Sequence, residues 1–336
     1  MLFLGNSYTF QNNLEAQVAA VFAAAGETVQ AERLANPGWR FVDHEGAIET
    51  AGSDHALAFA EPHDWVILQE QSQIPGFPDG QVDVEASRDS AVVLDGYAAA
   101  TGAQTMFLMT WGRRDGDNTN PDLYPDFETM QARLTDGYLT YVSLASADGT
   151  PAWVAPAGLA WARVYDDVVA GGGDPTAPDS PFYQLYVDDG SHPSPRGTYL
   201  AACVLYKSLT GRSPVGLDAP ADIADAAYLQ GVAEATVTEA ADTLAFPWEP
   251  ADDTGVPDTG VPDTGVPDTG DDTSEDPDTA SDLDDDTGVP DTSVDDTDDG
   301  DDNDAEGCGC TSGGGAGGWI VAVMAALGVR RRRSND

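Results

Sequence analysis

An α/β fold built on a parallel sheet, with helices covering both faces, is what this sequence predicts, and three observations carry it. Short apolar runs suited to buried strands recur at Leu2–Leu4, Val29–Leu34, Trp65–Leu68, Thr105–Met109 and Ala152–Ala155. Helix-compatible stretches separate them, and strict alternation of the two types argues for parallel strands joined by crossover helices. No second linker interrupts residues 1–250, so one domain is expected there. In such a sheet, ligands gather at the carboxyl ends of the strands.

The elements follow in order. The first strand turns at Gly5 and Asn6 onto Ser7, which puts a hydroxyl at the carboxyl edge of the sheet beside the next helix. That helix places Leu14, Val18, Val21 and Phe22 on one stripe and closes at Gly26. Longer helical patterns follow Val84 and Phe127. The last helix begins with Ser194 as its cap and Pro195 at its first position, and Gly211 lies just past its end. Only Met1–Leu4 precede the first turn, short against a usual strand of about five or six residues. The expectation is that Met1 is an internal residue or a misassigned start, with an N-terminal signal peptide missing from this sequence.

The net charge is −45, yet 41% of residues are hydrophobic, so a packed core and a solvated segment coexist. Residues 251–306 hold 23 acidic residues and no Lys or Arg, and repeat Thr-Gly-Val-Pro-Asp from Thr254 to Asp268 and again at Thr287–Asp291. A self-repelling extended spacer is expected, reaching about 170 Å at about 3.1 Å per residue. Residues 307–336 carry Cys308-Gly-Cys310, a glycine run, an apolar stretch to Val329 and Arg330–Arg333. This resembles the myxobacterial C-terminal sorting signal. The resemblance implies recognition by a sorting enzyme and anchoring through Cys308 or Cys310. The 17 residues from Gly313 to Val329 are at the short limit of a transmembrane segment, with arginines holding its end in the cytoplasm. An exported protein, at the cell surface or anchored in the outer membrane, is expected.

Residues 1–250 retain 35 acidic and 10 basic residues, which makes nucleic acid an unsuitable partner. Cys203 sits in an apolar run and is expected to be a buried packing residue. The four histidines show no zinc spacing: His44 and His55 are expected on a helix as surface or packing residues, and His63 in a turn.

Ser7 has the position of a nucleophile, but a serine hydroxyl needs a base, and the base needs a carboxylate to fix its tautomer. Asp189-Gly-Ser-His192 offers both in one loop. Gly5-Asn-Ser-Tyr-Thr9 resembles the first block of the SGNH (GDSL-type) hydrolases, and the run from Asp188 through Gly211 resembles their last block with its following helix. The likeness spans residues 1–245. It implies a three-layer, flavodoxin-like α/β/α sandwich with a five-stranded parallel sheet, and a Ser7–His192–Asp189 triad, with Asp188 as the alternative orienter. Thr at position 9 departs from the Gly-x-Ser-x-Gly elbow of the α/β-hydrolases. Gly38, in Asn36-Pro-Gly-Trp39, matches the glycine whose N–H serves the oxyanion hole along with that of Ser7. The third block departs from the family pattern: Gln69-Glu-Gln-Ser72 stands where Gly-x-Asn-Asp is usual, so Gln71 takes the asparagine position and Gln69 is the alternative.

Trp39 and Trp111 follow strand ends and either wall a substrate pocket or belong to the core. Arg113 and Arg114 either grip an anionic group or sit in a solvated loop. The resulting expectation is a serine esterase or deacylase at the cell surface, acting on a small-molecule or polysaccharide ester such as acetylated carbohydrate, with no cofactor or metal. The competing expectation is a surface carbohydrate-binding or adhesion module on the same scaffold with decayed catalysis.

Overall fold

In a computed structural model of the protein, residues 1–248 are described. The spacer, the Cys308 and Cys310 motif and the apolar stretch at 313–329 lie outside the described residues. Among the described residues no helix is long and apolar enough to cross a membrane.

The chain runs β1 (Leu2–Gly5), α1 (Ser7–Phe10), α2 (Leu14–Ala24), β2 (Glu32–Ala35), α3 (Phe41–Glu49), α4 (Asp54–Ala58), β3 (Trp65–Leu68), α5 (Val82–Ala100), β4 (Gln104–Leu108), α6 (Phe127–Ala145), β5 (Trp153–Ala155), α7 (Ala157–Ala170), α8 (Pro195–Thr210) and α9 (Ala226–Ala240). All strand pairs are parallel and the order is β2-β1-β3-β4-β5. The expected five strands are present, within a few residues of their predicted bounds.

Side chains alternate across each strand, and that alternation divides the core. Phe3, Ile67, Met106 and Leu108 face one layer with α2, α7, α8 and α9. Leu2, Leu4, Val66, Leu68 and Phe107 face the other, with α3, α5 and α6. Three layers result. α8 is buried nearly all round, and its caps are as expected: the Ser194 side chain accepts the Gly197 N–H, and Gly211 ends it at φ 69°. It is not the last helix. α9 follows, burying Leu229, Val232, Ala233 and Val237 on α8 and α7; with Gly231, Ala235 and Thr236 between these positions, the stripe is faint in the sequence.

The sheet order reverses between β1 and β3, and the loops leaving these two strands diverge there, which makes the crevice in which ligands of open α/β sheets bind. The loop after β3 is held by packing on α6. Gly137 lets the backbone of Pro75 approach so closely that an added Cβ would lie 1.8 Å from its carbonyl oxygen.

His44 and His55 are not surface residues. Both are buried, on α3 and α4, and share a hydrogen bond of 3.0 Å between His44 Nδ1 and His55 Nε2. His44 Nε2 donates to the Gly5 carbonyl at 3.0 Å, so in the neutral ring Nδ1 accepts from His55. The Trp39 ring packs on both imidazoles. Burial, aided by the charge of His55, pushes His44 from 6.5 down to about 4.

Two outcomes are expected. Gly137→Ala should lower stability in urea by about 1–3 kcal/mol through overpacking, although helix propensity alone would favour alanine by about 1 kcal/mol. A histidine whose folded pKa is depressed stabilises the fold above its unfolded pKa and ceases to do so as pH falls through the folded one. Stability should therefore decline by up to about 3 kcal/mol between pH 6.5 and pH 4 on account of His44. The His44→Gln variant should show a shallower decline in urea midpoint over that range.

Candidate active site

Ser7 opens α1 directly after β1. The turn that presents it is knitted by buried amides. Asn6 is 2% exposed and Gln69 1%. The Asn6 N–H donates to Gln69 Oε1 at 3.0 Å, Gln69 Nε2 donates to Asn6 Oδ1 at 3.1 Å, and Thr9 Oγ1 donates to Gln69 Oε1 at 2.8 Å. Asn6 Oδ1 also accepts the Tyr8 N–H at 3.1 Å, capping α1. No side chain fits at Gly5: a Cβ there would stand 2.3 Å from Thr9 Oγ1 and 2.7 Å from Gln69 Oε1. Asn6 Nδ2 donates to the Trp39 carbonyl at 2.9 Å and ties the turn carrying Gly38 to the Ser7 turn.

The loop before α8 meets this turn. His192 Nδ1 donates to Asp189 Oδ2 at 2.6 Å. With the proton on Nδ1, the neutral ring's Nε2 accepts from Ser7 Oγ at 2.7 Å across 185 residues of sequence. Asp189 Oδ1 accepts the Ser191 and His192 N–H groups at 2.8 and 2.9 Å. Partial burial raises the Asp189 carboxyl, but hydrogen bonds from the His192 ring and these two N–H groups outweigh it and hold the carboxyl below its ordinary value. The imidazole contact falls to Asp189, and Asp188 is left exposed. Gly190 makes the fold-back at φ 67°. Its carbonyl accepts the Arg114 N–H at 2.8 Å.

An aromatic ladder lies under the loop. Tyr8 stacks on Trp111 at 5.1 Å, and Trp111 on Trp161 at 4.0 Å. The Tyr8 hydroxyl shares a 2.6 Å hydrogen bond with Ser191 Oγ, and Trp111 Nε1 donates to the Ser191 carbonyl at 3.1 Å. Asn12 Nδ2 donates to the Pro193 carbonyl at 2.9 Å from the far side. Trp111 is therefore not a pocket wall: it is wholly buried and supports the histidine loop from below. Trp39 is half-buried and borders a depression of about 400 Å³ that also touches Asn36, Ser53 and His55.

The Ser7 and Gly38 backbone N–H groups meet no acceptor among the described residues. Gly38 stands at φ 70° in a turn closed by the Trp39 N–H on the Asn36 carbonyl. The third-block glutamines are engaged elsewhere. Gln69 is consumed by the Asn6 turn. Gln71 Nε2 donates to Gln73 Oε1 at 2.9 Å, and Gln71 Oε1 accepts the Gln73 N–H at 2.8 Å, so its amide closes on its own loop.

Arg113 and Arg114 are neither solvated nor free. Arg113 pairs with the buried Asp117 at 2.5 Å, and Arg114 pairs with Asp115 and covers the Tyr183 ring. Cys203 is buried and its thiol is pushed up to about 12, as suits a packing residue. His63 Nε2 donates to the Ala58 carbonyl at 2.9 Å in the turn before β3. Among the described residues no group of His, Cys, Asp and Glu is placed to hold a metal ion. Three participants were not singled out as supports in the sequence: Tyr8, Asn12 and Gln69. Tyr8 and Gln69 lay inside quoted motifs, but their partners are 183 and 63 residues away.

No protein-family model matches the chain, and no curated protein matches it. Solved structures do. A protein from Slackia heliotrinireducens, named as a candidate SGNH hydrolase, is 27% identical over 61% of this chain and 96% of its own, with a TM-score of 0.46. An acetyl xylan esterase is 11% identical over 62% of this chain and 98% of its own, with a TM-score of 0.43. A DUF4886 family protein from Bacteroides uniformis is 18% identical over 70% of this chain and 93% of its own; its TM-score of 0.52 shows a shared fold.

Proposed function

We propose that the protein is a serine hydrolase of carboxylic esters. The observation that carries this reading is the unbroken chain from Ser7 Oγ through His192 to Asp189, set at the sheet's switch point. His192 takes the Ser7 proton as Oγ bonds to the ester carbonyl carbon. It then gives that proton to the departing alkoxide as the carbon–oxygen bond breaks. Water, deprotonated by the same imidazole, releases the acid and restores Ser7. Asp189 keeps Nδ1 protonated and stabilises the imidazolium. The Ser7 and Gly38 N–H groups, left without acceptors, are the donors for the oxyanion. Gln71 has one N–H committed to Gln73 and would have to bring its second N–H to the oxyanion to join them.

The charge distribution supports an uncharged substrate. Nine of the ten basic residues at 1–248 are in ion pairs among the described residues, leaving Arg133, while the acidic residues of residues 1–250 number 35. Among the described residues, an anionic polymer would meet a negative field with no arginine or lysine but Arg133 outside an ion pair to oppose it. Esters of neutral alcohols fit, and acetylated neutral carbohydrate at the cell surface is the substrate class we propose to test first.

Fluorophosphonate labelling of the unaltered protein should occur at Ser7. Its absence would favour the non-catalytic carbohydrate-binding or adhesion reading. Ser7→Ala and His192→Ala should each reduce turnover of 4-nitrophenyl acetate by about 10⁴- to 10⁶-fold, and the double variant should lose little more. Losses that multiply would show that the two do not share a step. Gln71→Ala should lower kcat by less than about tenfold, below the about 10²-fold cost of removing a working oxyanion donor. Across acetyl esters whose alcohols are cationic, neutral or anionic, kcat/KM at low salt should be smallest for the anion, and the differences should shrink as salt rises.

A further inference from the structure

Glu70 lies between the two glutamines of the third block, is wholly buried, and has no part in the chemistry proposed above. Its carboxylate accepts the Phe41 N–H at 3.1 and 3.2 Å and the Gln71 N–H at 2.5 Å. Ser87 Oγ on α5 also donates to it, and that hydroxyl shares a 2.7 Å hydrogen bond with Tyr141 on α6. Phe41 is the first residue of α3, three residues beyond Gly38, so Glu70 satisfies one of the N–H groups that a helix start leaves without a partner. The Phe41 N–H, the Gln71 N–H and the Ser87 hydroxyl all donate to it, an arrangement that suits a carboxylate and not a carboxylic acid.

The contacts join two segments that the covalent chain leaves independent. One is the β2–α3 loop bearing Gly38. The other is the end of β3, whose Gln69 fixes the Asn6–Ser7 turn. Asn6 closes the same triangle by its bond to the Trp39 carbonyl. We propose that ionised Glu70 is a positioning residue for the esterase reaction, clamping the Gly38 loop to the end of β3 so that the Gly38 and Ser7 N–H groups converge on one oxyanion. It touches no substrate and acts through those backbone segments.

Protonation of Glu70 would turn one acceptor oxygen into a donor against N–H groups and loosen the clamp. Burial pushes the Glu70 carboxyl up to about 7, against the hydrogen bonds from Ser87, Gln71 and Phe41 and the charge of Arg40. The charged and titratable groups facing it are Arg40 before α3 and Tyr138 and Tyr141 on α6; both tyrosines are themselves pushed up by burial and stay neutral. An acid limb in kcat that belongs to Glu70 follows.

The inference rests on the esterase reading, and the test separates the two. In the full chain, Glu70→Gln keeps the size of the side chain but sets an NH₂ donor against N–H donors. It should lower kcat for 4-nitrophenyl acetate about 10- to 100-fold, slow fluorophosphonate labelling in parallel, and leave KM within about twofold. Ser87→Ala keeps the charge and removes a hydrogen bond that favours it, so the acid limb of kcat should move up by about one pH unit, with near-normal turnover above it. It also answers the question if Glu70→Gln does not fold. A Glu70→Gln protein that turns over within threefold of the unaltered one, or an acid limb that Ser87→Ala leaves in place, would overturn the inference. Absence of both labelling and turnover in the unaltered protein would overturn the esterase reading instead.

Discussion

The exchange of hydrogen bonds between the Asn6 and Gln69 amides is the contact on which the site depends. At the switch point of a parallel sheet, neighbouring chains leave β1 and β3 in different directions, and the backbone beyond each strand loses its ladder partners. An unpaired N–H group there, at 2% exposure, would cost about 1–3 kcal/mol. Gln69 replaces the missing ladder with its side chain, accepting from the Asn6 N–H and from Thr9 Oγ1. Its reach requires the space that Gly5 leaves empty. The requirement for Gly at 5, Asn at 6 and Thr at 9 thus has one cause: each either donates to Gln69, accepts from it, or makes room for it.

The histidine loop is secured by different physics. It is short and carries a left-handed glycine, and its base is closed by one antiparallel bridge between Tyr186 and Pro193, with the Val187 N–H on the His192 carbonyl at 3.0 Å and the Ser194 N–H on the Leu185 carbonyl at 2.8 Å. Beyond that bridge its order comes from stacked aromatic rings with polar edges aimed at Ser191, and from Asn12 gripping Pro193 from the α1–α2 junction. Tyr8 belongs to both systems. It follows Ser7, and its ring and hydroxyl reach Trp111 and Ser191, so the Ser7 turn and the histidine loop share a rigid partner. Such packing fixes the Ser7–His192 distance better than long flexible side chains would.

Charge is treated in two opposite ways. Among the described residues, acids are abundant and every arginine but Arg133 is tied up in an ion pair, which sets a field without affecting the fold. Inside, Glu70, Asp117 and the His44–His55 pair are each surrounded by donors or by each other. These interior groups lie around the loops after β1, β2, β3 and β4. The apolar layers farther from that edge are formed by regularly alternating side chains.

Much of this was legible in the sequence, for a physical reason. Strand runs, helix caps at Ser194 and Gly211, the Ser7 turn and the Asp189–His192 spacing are local patterns, set by residues within one turn or one strand of each other. Their meeting was legible because a parallel sheet sends Ser7 and the last loop to the same edge. Tertiary structure alone decided what depends on partners distant in sequence. His44 and His55, 11 residues apart on two helices, became a buried pair because Gly52, at φ 79°, and the Ser53 cap break the helical run between them. Trp111 became a support because Tyr8 and Trp161 sandwich it. Gln71 turned onto Gln73, and Glu70, a charged residue in a strand-end motif, was buried among donors from α3 and α5. A side chain's own chemistry states which bonds it can make; which of them it does make is set by the groups that packing brings within 3 Å or so of it.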